Sequence, residues 1–306
     1  MLRRLILVLL ACTAVLPTAT VQAKTLNVSL ILSDNSPPYR QFADMFSGHF
    51  VANQADVNID ESSVISGTQA DLIVAVGMKA AKLAAVQVDT PVLAVMVPES
   101  GYQELVKQMS PPDANREISA VYLDQPWTRR LEFLRAVLPE KRKIGLLYSP
   151  GTNIDIEGLR KNIAAHGGSL IARLVHAEDR LFPVLENLLV DSDVLLAVPD
   201  STIYVSSNIR NILLTSYRHN VPMVGISKAY VNAGALCAIF STPEQLAAQA
   251  EKAVILFARS RRLPAPQYPD AFAIEVNHQV ARSLGIEVPS EEAIRGRMDM
   301  TQERDR

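Results

Sequence analysis

Apolar residues along this chain follow two rhythms. Short unbroken runs alternate with longer stretches in which apolar positions recur every three or four residues. The runs LNVSLIL from Leu26, DLIVAVG (Asp71 to Gly77), PVLAVMV (Pro91 to Val97) and ISAVYL ending at Leu123 predict buried strands. So do KIGLLYS, SLIARLV, VLLAV before Pro199, PMVGI after Asn220, ALCAIF after Gly234 and FAIEVN (Phe272 to Asn277), with Val57 to Ile59 a weaker candidate. Between them lie helical faces. Phe42, Met45, Phe46 and Phe50 share one, as do Ile209, Ile212, Leu213 and Tyr217, and Leu246, Ala250, Val254 and Phe257. Further helices are expected from Met78, after Gly101, over Ile156 to His166, through Leu185 and Leu189, and through Val280, Ala281 and Leu284 up to Gly285.

The punctuation agrees with the periods. Thr242 with Gln245 three residues on, and Pro243 between them, is a capping box that starts a helix as soon as the strand at Phe240 ends. Asp124 is read as the cap of a helix burying Trp127, Leu131, Leu134 and Leu138, which Pro139 stops. Strands alternating with amphipathic helices mean an α/β protein with parallel, doubly wound sheets. The units fall into two comparable sets, which predicts two doubly wound lobes around a cleft. The expected division is 24–122 plus about 242–290 for one lobe, 123–241 for the other, and a fraying charged tail at 291–306. Leu263 to Pro269 reads as a surface connector.

The first residues predict export. Arg3 and Arg4 precede the apolar run LILVLLACTAVL, and Val21-Gln22-Ala23 is a small-residue cleavage site before Lys24. That makes 1–23 a signal peptide and the mature chain periplasmic or exported; processing as a lipoprotein at Cys12 is the less favoured alternative. The only cysteine left after cleavage, Cys237, sits in an apolar run and reads as a small hydrophobe.

Composition adds exclusions. The 306 residues are 48% hydrophobic, enough for real cores. Thirty basic against thirty-two acidic residues give no positive field for nucleic acid, and 6% aromatic content gives few stacking platforms. There is no GxSxG elbow, no HExxH, no GxxxxGK[ST] loop and no paired cysteines, and the five histidines lack ligand spacing. No enzyme, metal or cofactor is expected.

Ligands of doubly wound sheets bind outside the carboxyl ends of the strands. Those ends carry the candidates. Asp200 can pair with a ligand ammonium or amide, or cap the turn at Ser201. Gly77, Met78 and Lys79 open a helix whose N–H groups suit an anion, or form only a tight turn with a solvated lysine. Ser149 and Thr152 offer small donors, as do Ser227 and Ser241, the last also readable as part of the next cap. Asn35, Ser36 and Tyr39 would line the opposite wall, with Tyr39 stacking on a ligand or covering its own loop. Glu99 is a further charge partner for an amine.

The stretch VYLDQPWTRRLEFLRAVLPEKRKIGLLYSPGTN (Val121 to Asn153) resembles the hinge, helix and second-domain strand of ABC-transporter substrate-binding proteins. These have the type I periplasmic-binding fold, and the likeness is to the tryptophan- or urea-like subgroup. PDSTIY, IRNILLTSYRHNVPMVGISKAYVNAGAL and the ending FAIEVNHQVARSLGIEVPSE are similar to later signatures of the same family. The first third departs from it, with SDNSPPY and VPESG where the family has hydroxyl-rich and Asp-Pro turns, which leaves the ligand open. The resemblance implies capture of a small solute and its delivery to a membrane permease. The expected molecule is a monomer whose lobes close by hinge bending, and cleft candidates of both signs point to a small polar, amino-acid-like ligand. The alternative is a ligand-sensing module for a membrane receptor or kinase, and a periplasmic enzyme is the more distant rival.

Overall fold

The computed structural model describes residues 25–52, 57–61, 70–87, 89–109 and 117–304. The expected signal peptide, with Cys12, lies outside these residues.

The chain opens with β1 (Leu26–Leu32), α1 (Pro37–Ala52), β2 (Val57–Glu61), β3 (Leu72–Val76), α2 (Met78–Gln87), β4 (Val92–Val97), α3 (Glu99–Gln108) and β5 (Ile118–Tyr122). The strands form one parallel sheet in the order β2-β1-β3-β4-β5. Every residue of β3 and β4 is buried, because helices cover both faces. That is why they read as unbroken apolar runs rather than alternating ones.

The chain then crosses to a second lobe. It comprises α4 (Trp127–Val137), β6 (Lys143–Tyr148), α5 (Ile156–Ala165), β7 (Ser169–Leu174), α6 (Leu181–Asp191), β8 (Val194–Leu196), α7 (Ser206–Arg218), β9 (Met223–Gly225), α8 (Lys228–Ala233) and β10 (Cys237–Phe240). It returns to the first sheet for α9 (Pro243–Ser260) and comes back for β11 (Ala273–Val276), α10 (His278–Ser283) and α11 (Glu291–Arg304). The second sheet runs β11-β10-β9-β8-β6-β7, parallel throughout except for β10 against β11.

In the first lobe α1 and α9 share one face of the sheet. Phe42 and Phe46 stack at 5.5 Å between ring centroids, Phe46 meets Phe50 edge-on at 5.1 Å, and all three are buried with Leu246, Ala250, Val254 and Phe257 of α9. The capping box of α9 forms as its sequence predicts: Gln245 N–H donates to Thr242 Oγ1 at 3.2 Å, and Thr242 N–H donates to Gln245 Oε1 at 3.0 Å. On the other face α2 presents Ala80, Ala81, Ala84 and Ala85, whose short side chains let the helix lie close against the strands. Met45 and Tyr217, expected on buried faces, are partly exposed instead.

Three expectations are corrected. Residues 273–290 do not return to the first lobe, because β11 adds to β10 and Ile274 and Ala281 enter the second core. The charged tail does not fray over its described residues, 291–304. It is helix α11, which lays Ile294 and Met298 into the same core against α4, while Arg297 donates to Ala136 O at 2.8 Å. The connector 263–269 is more than a surface loop: Gln267 bridges Val121 at the edge of the first sheet, and Leu263 and Pro269 are buried.

The lobes are therefore joined by three crossovers, after β5, after β10 and before β11. A single hydroxyl ties them. Gln125 Nε2 donates to Ser241 Oγ at 2.8 Å, and Ser241 Oγ donates to Ala271 O at 2.5 Å. Arg129 Nη1 adds bonds to Gln125 Oε1 at 2.7 Å and Pro269 O at 2.8 Å.

Candidate functional site

The carboxyl ends of both sheets face each other across a cavity of about 520 Å³. Met78, Lys82, Ser100, Gly101 and Glu104 come from the first lobe. Ser149, Pro150, Gly151, Thr152, Val175, Pro199, Asp200, Ser201 and Thr202 come from the second. Each contributing segment follows a strand: β3, β4, β6, β7 or β8. The volume suits a small molecule.

The second-lobe wall is organised by Asp200, and not in the way a free carboxylate would be. Its Oδ1 accepts from the backbone N–H groups of Thr202 and Ile203, both at 2.8 Å. Its Oδ2 accepts from Ser149 N–H at 2.8 Å and from the Thr152 hydroxyl at 2.5 Å. Burial pushes its pKa up, but the bonds from Thr152, Ile203, Ser149 and Thr202 together outweigh burial and hold it below the ordinary carboxylate range. Four protein donors leave this buried carboxylate little capacity for a ligand. Its role is to lock the loop after β8 to the 3-10 turn Pro150–Thr152 after β6.

A smaller cavity of about 40 Å³ lies beside the first, toward the crossovers, and shares Ser100, Thr152 and Pro199 with it. Glu99, Asp124, Trp127, Arg130 and Tyr268 line it. Asp124 does not cap α4, whose N-cap is Pro126 without a side-chain bond. Instead its Oδ2 accepts from Glu99 N–H at 2.7 Å, at the start of α3 in the other lobe. Desolvation raises Asp124 to about 6, against the opposing pull of that N–H and of Arg130. Arg130 is buried, lies 4.3 Å over the Trp127 ring and donates to Ala197 O. Burial lowers it to about 10, so it stays charged at neutral pH. Both oxygens of Glu99 are engaged, Oε2 by the Tyr268 hydroxyl at 2.5 Å and Oε1 by Gln103 Nε2 at 3.1 Å.

The sequence-derived candidates divide. Met78, Ser149, Thr152, Asp200 and Ser201 line the larger cavity, and Glu99 with Thr152 the smaller. Asn35, Ser36, Tyr39, Gly77, Lys79, Ser227 and Ser241 line neither. Ser241 belongs to the crossovers. The 34–36 loop is closed on itself by Ser36 N–H donating to Asp34 Oδ1 at 2.8 Å. Gly77, at φ +83°, sits so close to Ser33 and Tyr39 that a Cβ there would meet both at 2.6 Å. Ser33 Oγ already accepts from Ala80 N–H at 3.0 Å, so one free donor of the first turn of α2 is taken within the protein, and Lys79 is exposed. Ser227 precedes α8 without making a side-chain cap bond. Burial pushes the Cys237 thiol up, in keeping with a packing role.

Asp124, Trp127, Arg130 and Tyr268 were not anticipated at the cleft. Asp124 stands directly after a strand and was open to the same rule that found Asp200. Tyr268 was not, because the edge pairing that places it has no local signature.

The profile of the family described as ABC transporter substrate binding protein matches residues 49–295. The chain belongs to the ABC transporter substrate-binding protein family. No curated protein sequence is similar enough to match the chain. Among solved structures, a substrate-binding protein with adhesive properties from Clostridium difficile, in a ligand-free, open form, is 18% identical with a TM-score of 0.68. The alignment covers 88% of this chain and 97% of that one. A conserved domain protein from Vibrio cholerae is 20% identical, TM-score 0.64, covering 90% and 98%. The ABC domain from Streptococcus pneumonia in complex with L-Trp is 17% identical, TM-score 0.63, covering 88% and 98%. These likenesses establish the two-lobed periplasmic-binding fold. Family membership assigns a solute-binding role, and the match begins inside α1, leaving β1 and the 34–36 loop outside it.

Proposed function

We propose that this substrate-binding protein works in exported space, captures a small polar solute between its lobes and presents the closed form to an ABC permease. The observation that carries the reading is the cavity of about 520 Å³ walled by strand ends of both lobes. A solute there touches two bodies at once, so binding favours their closure by its differential affinity for the closed state. The walls offer small hydroxyls and groups of both charges, with Lys82 and Glu104 at the first-lobe rim. That supports a zwitterionic or amide-bearing ligand, amino-acid-like in size. The L-Trp complex of the pneumococcal relative is consistent with this class.

The test is a thermal-shift screen of the chain from Lys24 against amino acids, ureas, nucleosides and small anions. A ligand at a hundred times its Kd stabilises the folded state by about 2.7 kcal/mol. A flat response across the panel contradicts solute capture. Co-purification with a permease supports transport, and co-purification with a membrane kinase instead overturns it.

A further inference from the structure

The two lobes touch at the rim of the smaller cavity. Asn153, held at φ 47° just after the 3-10 turn, donates from Nδ2 to Gln103 Oε1 on α3 at 2.5 Å. Gln103 Nε2 donates in turn to Glu99 Oε1, one helical turn back, at 3.1 Å. The other oxygen of Glu99 accepts from the Tyr268 hydroxyl at 2.5 Å, and Tyr268 belongs to the third crossover. The backbone N–H of Glu99 donates to Asp124 at 2.7 Å, on the first crossover. One glutamate joins a contact between lobes to two of the three segments about which they turn.

We propose that the Gln103–Asn153 pair is the clasp that holds the lobes together, and that Glu99 is the positioning residue that couples this clasp to the hinge. An amide pair at an exposed rim is weak alone, because water competes for both partners and two side chains must be ordered. The Glu99 carboxylate changes that. Its charge-assisted bond fixes the Gln103 amide so that Oε1 faces Asn153. The carboxylate is fixed in turn by Tyr268, whose ring sits 5.3 Å from Tyr122 and whose carbonyl accepts from Gln249 Nε2 at 3.0 Å. Opening the clasp therefore frees Glu99, and freeing Glu99 loosens Tyr268. The inference rests on the reading of two lobes that move, but not on what they hold.

The test uses the chain from Lys24 with dyes at Asp44→Cys on α1 and Lys161→Cys on α5, both exposed, while Cys237 stays buried. Single-molecule energy transfer then reads the inter-lobe distance without added ligand. Asn153→Ala and Tyr268→Phe, whose side chains bond to Gln103 and Glu99 and not to each other, should each shift the open-to-closed ratio about three- to tenfold toward open. The double variant should shift it by less than the product of the two, and in a Glu99→Ala background that interdependence should vanish. Gln103→Glu, which truncates nothing but sets a carboxylate against Glu99, should also open the cleft. Shifts that simply multiply, or distances that none of these variants moves, would overturn the proposal. A flat ligand screen with interdependent variants sinks solute capture and leaves the clasp standing. A ligand found with independent variants does the reverse.

Discussion

Asp200 gives both carboxylate oxygens to the protein itself, and Asp124 gives one to the neighbouring lobe. The two respond to pH in opposite directions. Asp200 is held below its ordinary value of 3.8, so the unfolded chain binds its proton more readily than the native one. Its contribution is present above about pH 4 and is lost as pH falls through the lowered native value. Asp200→Ala should cost about 2–4 kcal/mol in urea unfolding at neutral pH, since it removes the acceptor of four donors, three of them in buried bonds. Asp124 is raised from 3.8 to about 6, so the native state keeps a proton that the unfolded chain has released. Its contribution is complete below about pH 4 and disappears as pH rises through about 6. Asp124→Asn should flatten the fall in stability over that window, and unfolding curves at closely spaced pH values would show it. The strand-end rule placed Asp200 correctly by position. Which donors would claim its oxygens depends on the meeting of two loops that follow β6 and β8, and no local pattern encodes that.

Helices and strands were legible wherever burial was periodic or complete. β3 and β4 read as strands because both faces are covered, and α9 announced its first residue through Thr242 and Gln245. Legibility failed where an element is short or mostly charged. α8 spans only Lys228–Ala233 and buries one residue, Val231. α11 sets Ile294 and Met298 among charges, so its buried stripe is too thin to register as a period, although both of these side chains are fully buried. That burial has a consequence at the scale of the element. Ending the chain at Ser290 should lower the melting temperature clearly, and Ile294→Ala alone should cost about 2–4 kcal/mol in urea unfolding. An unchanged melting temperature after truncation would mean that α11 contributes nothing to the second lobe.

At the scale of the molecule, the resemblance carried by Val121 to Asn153 led to the right fold, and the family match now extends from 49 to 295. The division into lobes is less legible. Two crossings were expected where there are three, because the return to β11 follows a segment whose one pairing, Gln267 to Val121, leaves no trace in sequence. The third crossover matters, since it brings Tyr268 to the cleft and lets Ser241 hold all three segments together. Closure about this hinge on a solute in the larger cavity is the central claim. It is tested most directly by repeating the thermal-shift screen with a variant whose cavity is plugged. Ser201 is exposed on the second-lobe wall, so Ser201→Trp can fill the cavity without entering the core. A stabilising ligand of the wild-type chain should lose its effect on this variant, whose own melting temperature without ligand should match the wild type. An equal shift in both proteins would contradict the account, because the ligand would then be bound somewhere other than between the lobes.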